Sequence, residues 1–384
     1  MIALQKLQFA RIILTSFLFI SVVGNSQNTS RRIINIPDIP GYKTLKCDLH
    51  MHTVFSDGTV WPTVRVEEAW AEGLDVIAIT DHLGHHYRNN VDDDNFSRNY
   101  DIAKPLADKL GIILIKGTEI TKSMPFGHFN ALFVNDLKKI DIADGFAALR
   151  EAANQGAFIT WNHPGWKMPD NIPIWDSIHD ALYKNGLFNG IEVVNQYYYS
   201  PLTFSWANDK NLTLISGSDI HDPSSVEFNN ENGLHRPIDL VFAKDTSAEA
   251  IKEALVKHRT VIYYKNFLFG KEELLKALFT ASTKIINPEF SIDADSKSNY
   301  YNYIQIQNNS CIDFDIELAD ADKILILTKK TTLKANSVTY LDIKPAPRDI
   351  KGDKNYILKY KVKNLLQSPE NCITTEFSIR IKYL

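Results

Sequence analysis

The chain has 384 residues, 44% of them hydrophobic and 23% charged, and a formal charge of -4. That length suits two domains of unequal size better than one core. The slight acidity excludes a general nucleic-acid or anionic-membrane binder, because neither polyanion is attracted by the field of the whole molecule.

Lys6 and Arg11 precede an apolar run from Ile12 to Val23, and Gly24-Asn25-Ser26 supply small residues before Gln27. This layout predicts a signal peptide over 1–26, hence export to the periplasm or beyond the cell and no membrane segment in the mature form. Three cysteines follow, Cys47, Cys311 and Cys372, at spacings that fit no zinc finger. In an oxidising space Cys311 and Cys372 either bridge or stay as unpaired core thiols.

From Leu45 onward short apolar runs alternate with helical periodicity, the pattern of parallel strands joined by helices. Strands are expected at 45–49, 76–80, 112–116, 130–134, 158–161, 191–194, 212–216 and 240–243. Helices are expected at 63–71, 99–110, 145–155, 174–183 and 202–208, with Thr246 and Glu249 as a capping box for one more. Seven or eight such units suggest a closed β/α barrel over 27–269, and no Gly-x-Gly-x-x-Gly follows the first strand to suggest a dinucleotide fold. Residues 270–284 place Leu274, Leu275, Leu278 and Phe279 at helical spacing, a connector helix. Residues 285–384 alternate apolar and polar, as in Tyr303-Ile304-Gln305-Ile306-Gln307, and predict a small β-sandwich without a catalytic cluster.

The chemistry-bearing residues stand beside the expected strands. His50 and His52 alternate in an extended segment, so both imidazoles share one face. Asp57 follows on the next turn; Asp81-His82, Glu119, His163 and Asp219-Ile220-His221 recur after later strands, and His128 stands before one. In a barrel the carboxyl ends of parallel strands meet at one mouth, which makes ligands distant in sequence neighbours in space. Any single histidine reads as a structural residue; the series points to metal ligation. Asp81 is expected to orient His82 or to cap the next loop.

The segments His-Met-His with Ser-Asp-Gly, Ile-Thr-Asp-His, Gly-Thr-Glu, Gly-His, Asn-His-Pro and Ser-Asp-Ile-His, in that order over about 46–260, resemble the motif series of the polymerase and histidinol phosphatase (PHP) family. The layout is most similar to exported bacterial phosphodiesterases of that family. The resemblance implies α/β architecture, a distorted seven-unit β/α barrel of the PHP type followed here by the sandwich. It also implies two or three divalent metal ions. His50, His52, Glu119 and Asp219 would bind the first, and Glu119 would bridge to a second held by His128 and His163. Asp57, His82 and His221 would hold a third, with Asp57 standing where many relatives have histidine. Imidazole and carboxylate donors suit Zn, Mn or Fe equally.

Adjacent divalent ions make hydroxide available near neutral pH and neutralise the oxygens of a phosphate ester, so the expected activity is hydrolysis of small phosphodiesters by a metal-activated hydroxide. Arg236 is expected to hold phosphate oxygens, and His85 or His86 to protonate the leaving alkoxide. Arg88, His235 and the run Tyr197, Tyr198 and Tyr199 are expected to line the substrate, the tyrosines as an aromatic wall. Trp161, Trp166 and Trp206 read as core or rim. A phosphomonoesterase is the nearest alternative and should need further cations for a dianion. A metal-dependent amide or lactone hydrolase often uses a carbamylated lysine, and Lys116 is not placed like a ligand. A non-catalytic exported binding protein would show an aromatic patch on 285–384.

Overall fold

The computed structural model describes residues 30–84, 91, 95–228, 235–292, 302–320, 325–344 and 350–384. The expected signal peptide lies outside the described residues, as do His85, His86 and Arg88. Among the described residues no helix is long and apolar enough to cross a membrane.

The part that carries the metal motifs is built on β1 (Lys43–Asp48), β2 (Val76–Ile79), β3 (Ile113–Thr121), β4 (His128–Leu132), β5 (Phe158–Asn162), β6 (Gly190–Asn195), β7 (Tyr198–Tyr199), β8 (Thr213–Gly217), β9 (Ile238–Ala243), β10 (Thr260–Tyr264) and β11 (Phe267–Gly270). The longer helices are α1 (Pro62–Glu72), α2 (Arg98–Leu110), α3 (Gly145–Asn154), α4 (Ser177–Lys184), α5 (Pro201–Asp209), α6 (Ala248–Val256) and α7 (Glu272–Ser282). Their ends follow local chemistry. α1 opens on Pro62, whose missing N–H costs nothing there, and closes on Gly73 at φ 88. Asp176 and His179 form a reciprocal cap for α4. α6 is capped by Ser247, whose hydroxyl accepts from the Ala250 N–H, and not by Thr246.

The sheet order runs β11-β10-β9-β1-β2-β3-β4-β5-β6, with β8 also on β6. Its strands are not all parallel. β1–β2, β2–β3, β5–β6 and β6–β8 are parallel, whereas β4 is antiparallel to both β3 and β5, and β9 to both β1 and β10. The six residues between β3 and β4 are too few for a crossover, so the chain turns back as a hairpin. β8 approaches β9 and β10 through side chains: Ser216 N–H donates to Asp239 Oδ1 at 2.8 Å, and Thr260 Oγ1 donates to Leu214 O at 2.8 Å.

The remaining strands are β12 (Thr283–Ile285), β13 (Glu289–Ile292), β14 (Asn302–Asn308), β15 (Phe314–Leu318), β16 (Ile326–Leu327), β17 (Lys330–Leu333), β18 (Ser337–Lys344), β19 (Gly352–Leu366) and β20 (Cys372–Tyr383). β12-β14-β18-β16 make a separate sheet, while β19 pairs in parallel with β11 and so joins the C-terminal strands to the first sheet. α7 lies at this junction. One apolar core runs from Ile77 and Val261 through Leu275, Leu278 and Phe279 to Phe314 and Ile381. Burying that continuous face couples the two parts, because exposing it would cost roughly 25 cal/mol per Å2. All three cysteines are free, with Cys47 buried in β1.

Candidate metal centre

After β1 the chain stays extended, and His50 and His52 are both fully buried. The segment pairs with the loop after β8: Asp219 N–H donates to His50 O at 2.9 Å and His52 N–H to Ile220 O at 3.0 Å. This pairing brings Asp219 Oδ1 to 3.3 Å from His50 Nε2 and 3.1 Å from His52 Nε2. Two buried arginines hold the arrangement from behind. Arg65 donates to His52 O, Ile220 O and Asp222 O, at 2.9, 3.1 and 2.9 Å. Arg236 donates to Asp48 Oδ2 at 2.8 Å, while Asp48 Oδ1 accepts from the backbone N–H groups of His50 and Ser218.

Glu119, fully buried on β3, is the hub. His128 Nδ1 and His163 Nε2 lie 3.1 and 3.2 Å from its Oε1, and His82 Nδ1 lies 2.8 Å from Oε2. His128 reaches this rim from the start of its strand because β4 runs antiparallel: it stands opposite Thr121, the last residue of β3, and Asn162, the last of β5. Asp57 lies 3.3 Å from His82 Nε2 and 3.2 Å from His221 Nε2. All nine residues of the motif series thus converge. Four overlapping groups have donor atoms within 4.8 Å of one another: His52, Asp57, His82 and His221; His50, His163 and Asp219; His50, His52 and Glu119; His82, Glu119 and His128. Compared with the grouping implied by resemblance, His52 also joins the Asp57 group, and His163 sits with His50 and Asp219.

The donor set fits divalent cations on two observations. His221 Nδ1 donates to Asp219 O at 2.7 Å, and His50 Nδ1 donates to Glu192 Oε1 at 2.7 Å, so that in the neutral ring each Nε2 turns a lone pair toward carboxylate oxygens. Lone pairs that face lone pairs call for a cation between them. Glu119 Oε2, moreover, is buried and makes no well-formed hydrogen bond, although His82 Nδ1 stands 2.8 Å away.

Without ions the centre is electrostatically tense. Burial alone would depress the pKa of His82, but Glu119 and Asp57 overcome it and raise it to about 10. His50 is likewise held well above its usual value against burial, by Glu192 and Asp219. Burial dominates at His52 and lowers its pKa to about 4. Burial opposes ionisation of Glu119, yet the surrounding imidazoles, His82 first, hold its carboxyl well below the usual range.

Other expected site residues are placed elsewhere. Arg236 is 1% exposed, and its guanidinium is committed to Glu72 and Asp48, so it presents nothing to a substrate. His235 is buried against Tyr263, ring centroids 4.4 Å apart, and borders a separate cavity with Arg32 and Cys311 that includes none of the metal-site residues. Tyr199 turns to the core and stacks on Phe269 at 4.8 Å. Tyr197 and Tyr198 remain exposed, Tyr197 packed against Phe228 and Tyr198 donating its hydroxyl to Asn171 O at 3.0 Å. Asp81 does not touch the His82 ring among its hydrogen bonds; it accepts from Thr53, Ser56 and Asn99 and so ties down the loop that carries Asp57. Thr121 Oγ1, 2.6 Å from His82 Nδ1, takes the orienting position instead. Lys116, half-buried on β3, donates its ammonium to Asn135 O at 3.1 Å.

One residue with a part in the site, Glu192, was not singled out from sequence. Glu192 sits in Gly-Ile-Glu-Val-Val-Asn, an acid inside an otherwise apolar strand, and that isolation was the available signal. Trp166, expected as core or rim, is a rim residue of the site itself, with its ring centroid 4.6 Å from that of His128 and 5.6 Å from that of His163.

A mixed α/β sheet whose rim gathers six imidazoles and three carboxylates defines a metal-dependent hydrolase. The comparisons with known proteins narrow that class. A crystal structure of a two-domain protein from Bacteroides vulgatus, containing a predicted PHP-like metal-dependent phosphoesterase, is 39% identical, covers 91% of this chain and 99% of its own, and superposes with a TM-score of 0.82. The chain belongs to this family of two-domain, PHP-like metal-dependent phosphoesterases. An uncharacterised protein of Methanocaldococcus jannaschii is 27% identical over 168 residues, 40% of this chain and 84% of that protein. A 5'-3' exoribonuclease of Haemophilus influenzae is 38% identical over 78 residues, and the match spans only 20% of this chain and 24% of the enzyme. Residues 290–378 match a family described as an Ig-like domain.

Proposed function

We propose that this phosphoesterase hydrolyses phosphodiesters, that it is exported, and that the nine residues named above are its metal ligands. The observation that carries the diester reading is the commitment of both arginines behind the centre. Arg65 and Arg236 are buried and bound to carbonyls and carboxylates, so neither is available to neutralise a phosphate dianion. A diester carries one negative charge and needs no such clamp. The apolar leader with its flanking Lys6 and Arg11 supports export.

Divalent ions, Zn, Mn or Fe, would supply Lewis acidity and a water acidic enough to yield hydroxide near neutral pH. The chain's own contribution is positional. Glu192 fixes His50 with Nε2 inward, Thr121 sets His82, and Asn162 Nδ2 donates to Glu119 Oε1 at 3.0 Å to hold the hub carboxylate. The side chains of His50, His52 and Glu119 form a dry floor, whereas those of Asp57 and His221 are 35% and 31% exposed, so the ester enters on their side. Water exclusion beneath and access above keep the electrostatic pull strong where the phosphate arrives.

The test is metal analysis of the purified protein, with bis(p-nitrophenyl) phosphate and p-nitrophenyl phosphate compared for wild type and Glu119→Ala. Diester cleavage that exceeds monoester cleavage and disappears in the variant is the expected result. Equal turnover of both esters by the variant would take this centre out of the chemistry. Monoester cleavage far above diester cleavage would establish the monoesterase instead. A binding-only protein would turn over neither; the exposed Tyr303–Tyr340 pair, 5.1 Å between ring centroids and nearly perpendicular, is the aromatic feature of the second sheet that such a reading would use.

A further inference from the structure

The loop that leaves β5 is built to hold one side chain over the metal centre. His163, Lys167, Asp170 and Asn171 all adopt left-handed backbone, at φ 27, 58, 57 and 54. Non-glycine residues rarely accept that region, and such strain persists where the surroundings enforce it. Here they do. His163 N–H donates to Glu192 Oε2 at 2.7 Å, Trp166 N–H to His163 O at 2.8 Å, and Met168 N–H to Gly165 O at 3.0 Å. Gly165 allows the loop to cross itself, since a Cβ there would meet Asn171 O at 2.2 Å. The far end of the loop is tied to β7 by the Tyr198 hydroxyl on Asn171 O.

The product of this winding is Trp166, an indole that remains 40% exposed while it lies against the imidazoles of His128 and His163. Its large apolar surface is left in water next to the reacting centre, although burying it elsewhere would be favourable. Lys167, itself exposed, rests its ammonium 4.0 Å from the indole centroid, a cover that a ligand can displace. Tyr198, 44% exposed, is joined to the same loop through its hydroxyl on Asn171 O.

We propose that Trp166 is the specificity-determining wall of this centre and takes a planar aromatic group of the ester, such as a nucleobase, beside the scissile phosphate. The assignment rests on the phosphodiesterase reading and names its substrate class: a diester with at least one aromatic or nucleoside group. Base–aromatic stacking tolerates any π-face and contributes about a tenfold effect on affinity.

Two measurements on the metal-loaded, full-length protein test this. In the first, kcat/KM for thymidine 5'-(p-nitrophenyl phosphate) is divided by that for methyl p-nitrophenyl phosphate, which shares the leaving group and lacks the base. Trp166→Ala is expected to lower this ratio about tenfold, mainly through KM, and Trp166→Phe to keep most of it. In the second, calorimetry compares thymidine 5'-monophosphate with methyl phosphate as ligands. Wild type is expected to prefer the nucleotide about tenfold and Trp166→Ala to lose that preference while retaining its metal. An unchanged preference in Trp166→Ala, or equal losses for both members of each pair, would overturn the proposal and leave Trp166 as a prop for the histidines. A Trp166-dependent preference in binding without hydrolysis of either ester would instead remove the phosphodiesterase reading and keep the subsite.

Discussion

Glu192 Oε1 stands 2.7 Å from His50 Nδ1, and both side chains are buried. The other oxygen, Oε2, accepts from His163 N–H at 2.7 Å and from Asn195 Nδ2 at 3.0 Å. One carboxylate therefore fixes the ring of one histidine and the backbone of another. Carboxylates that orient ligating histidines typically contribute 10- to 100-fold to metal affinity. Glu192→Gln should bind metal about 10- to 100-fold more weakly in a direct titration while its circular dichroism stays that of wild type. Unchanged affinity would show that ring orientation is set elsewhere. Gly217 supplies an independent check, because a Cβ there would meet Glu192 Oε1 at 2.2 Å; Gly217→Ala should weaken metal binding in the same direction.

Glu119 joins two of the four donor groups, and its Oε2 faces His82 Nδ1 at 2.8 Å. Glu119→Gln keeps the shape but removes the charge that the surrounding imidazoles stabilise. The variant should lose at least one equivalent of metal by elemental analysis, and diester hydrolysis should fall by about 100-fold or more. Retained metal with lost activity would assign Glu119 to the chemistry alone.

Metal uptake should expel protons. In the ion-free centre His82 is raised to about 10 and His50 well above its usual value, so these two imidazoles hold protons at neutral pH that ligation must displace, and His163 and His221 are shifted in the same direction. Asp57 and Asp219 are depressed, already ionised, and release none. Apparent affinity should rise about tenfold per pH unit for each proton released, read by titration in buffers of different ionisation enthalpy. The sign for stability is opposite. A histidine raised on folding stabilises fully below its unfolded pKa, near 6.5, and loses that contribution as pH climbs through the folded value of about 10. The ion-free protein should therefore melt at lower temperature at pH 9.5 than at pH 7. A flat or rising profile would mean that the carboxylate–imidazole pairs are absent.

Most of the motif residues were legible because they sit at or just beyond a strand end, where polar residues interrupt apolar spacing; Asp57 lies farther out in the loop and Glu119 inside β3. His128 looked misplaced at the start of its strand, and only the antiparallel return of β4 explains it; direction is fixed by the short turn before it, not by periodicity. Glu192 was hidden because a buried acid within an apolar strand gives no hint of its partner, 142 positions away. Arg236 shows the converse: an arginine before a strand reads as a phosphate ligand until Glu72, 164 positions away, is seen to occupy it. The helix-rich alternation gave the α/β class, whereas the mixed strand directions and the pairing of β19 with β11 depend on contacts that no local pattern encodes.

Arg236 supplies the last prediction. Its Nε and Nη2 donate to the two oxygens of Glu72 at 2.8 and 3.0 Å and its Nη1 to Asp48 at 2.8 Å, a buried network that joins α1 to the end of β1. Burial would lower its pKa, but Glu72 and Asp48 raise it, so the charge is permanent. Removing one member of a buried ion-pair network leaves the others uncompensated and costs about 3–5 kcal/mol. Arg236→Met should lower the unfolding free energy from urea titration by an amount in that range, and the folded fraction should keep the wild-type ratio of diester to monoester hydrolysis. A selective loss of monoester turnover with normal stability would return the guanidinium to the phosphate. The buried position argues for the first outcome, since a side chain 1% exposed, with each of its three guanidinium nitrogens donating to a carboxylate, has no access to an ester.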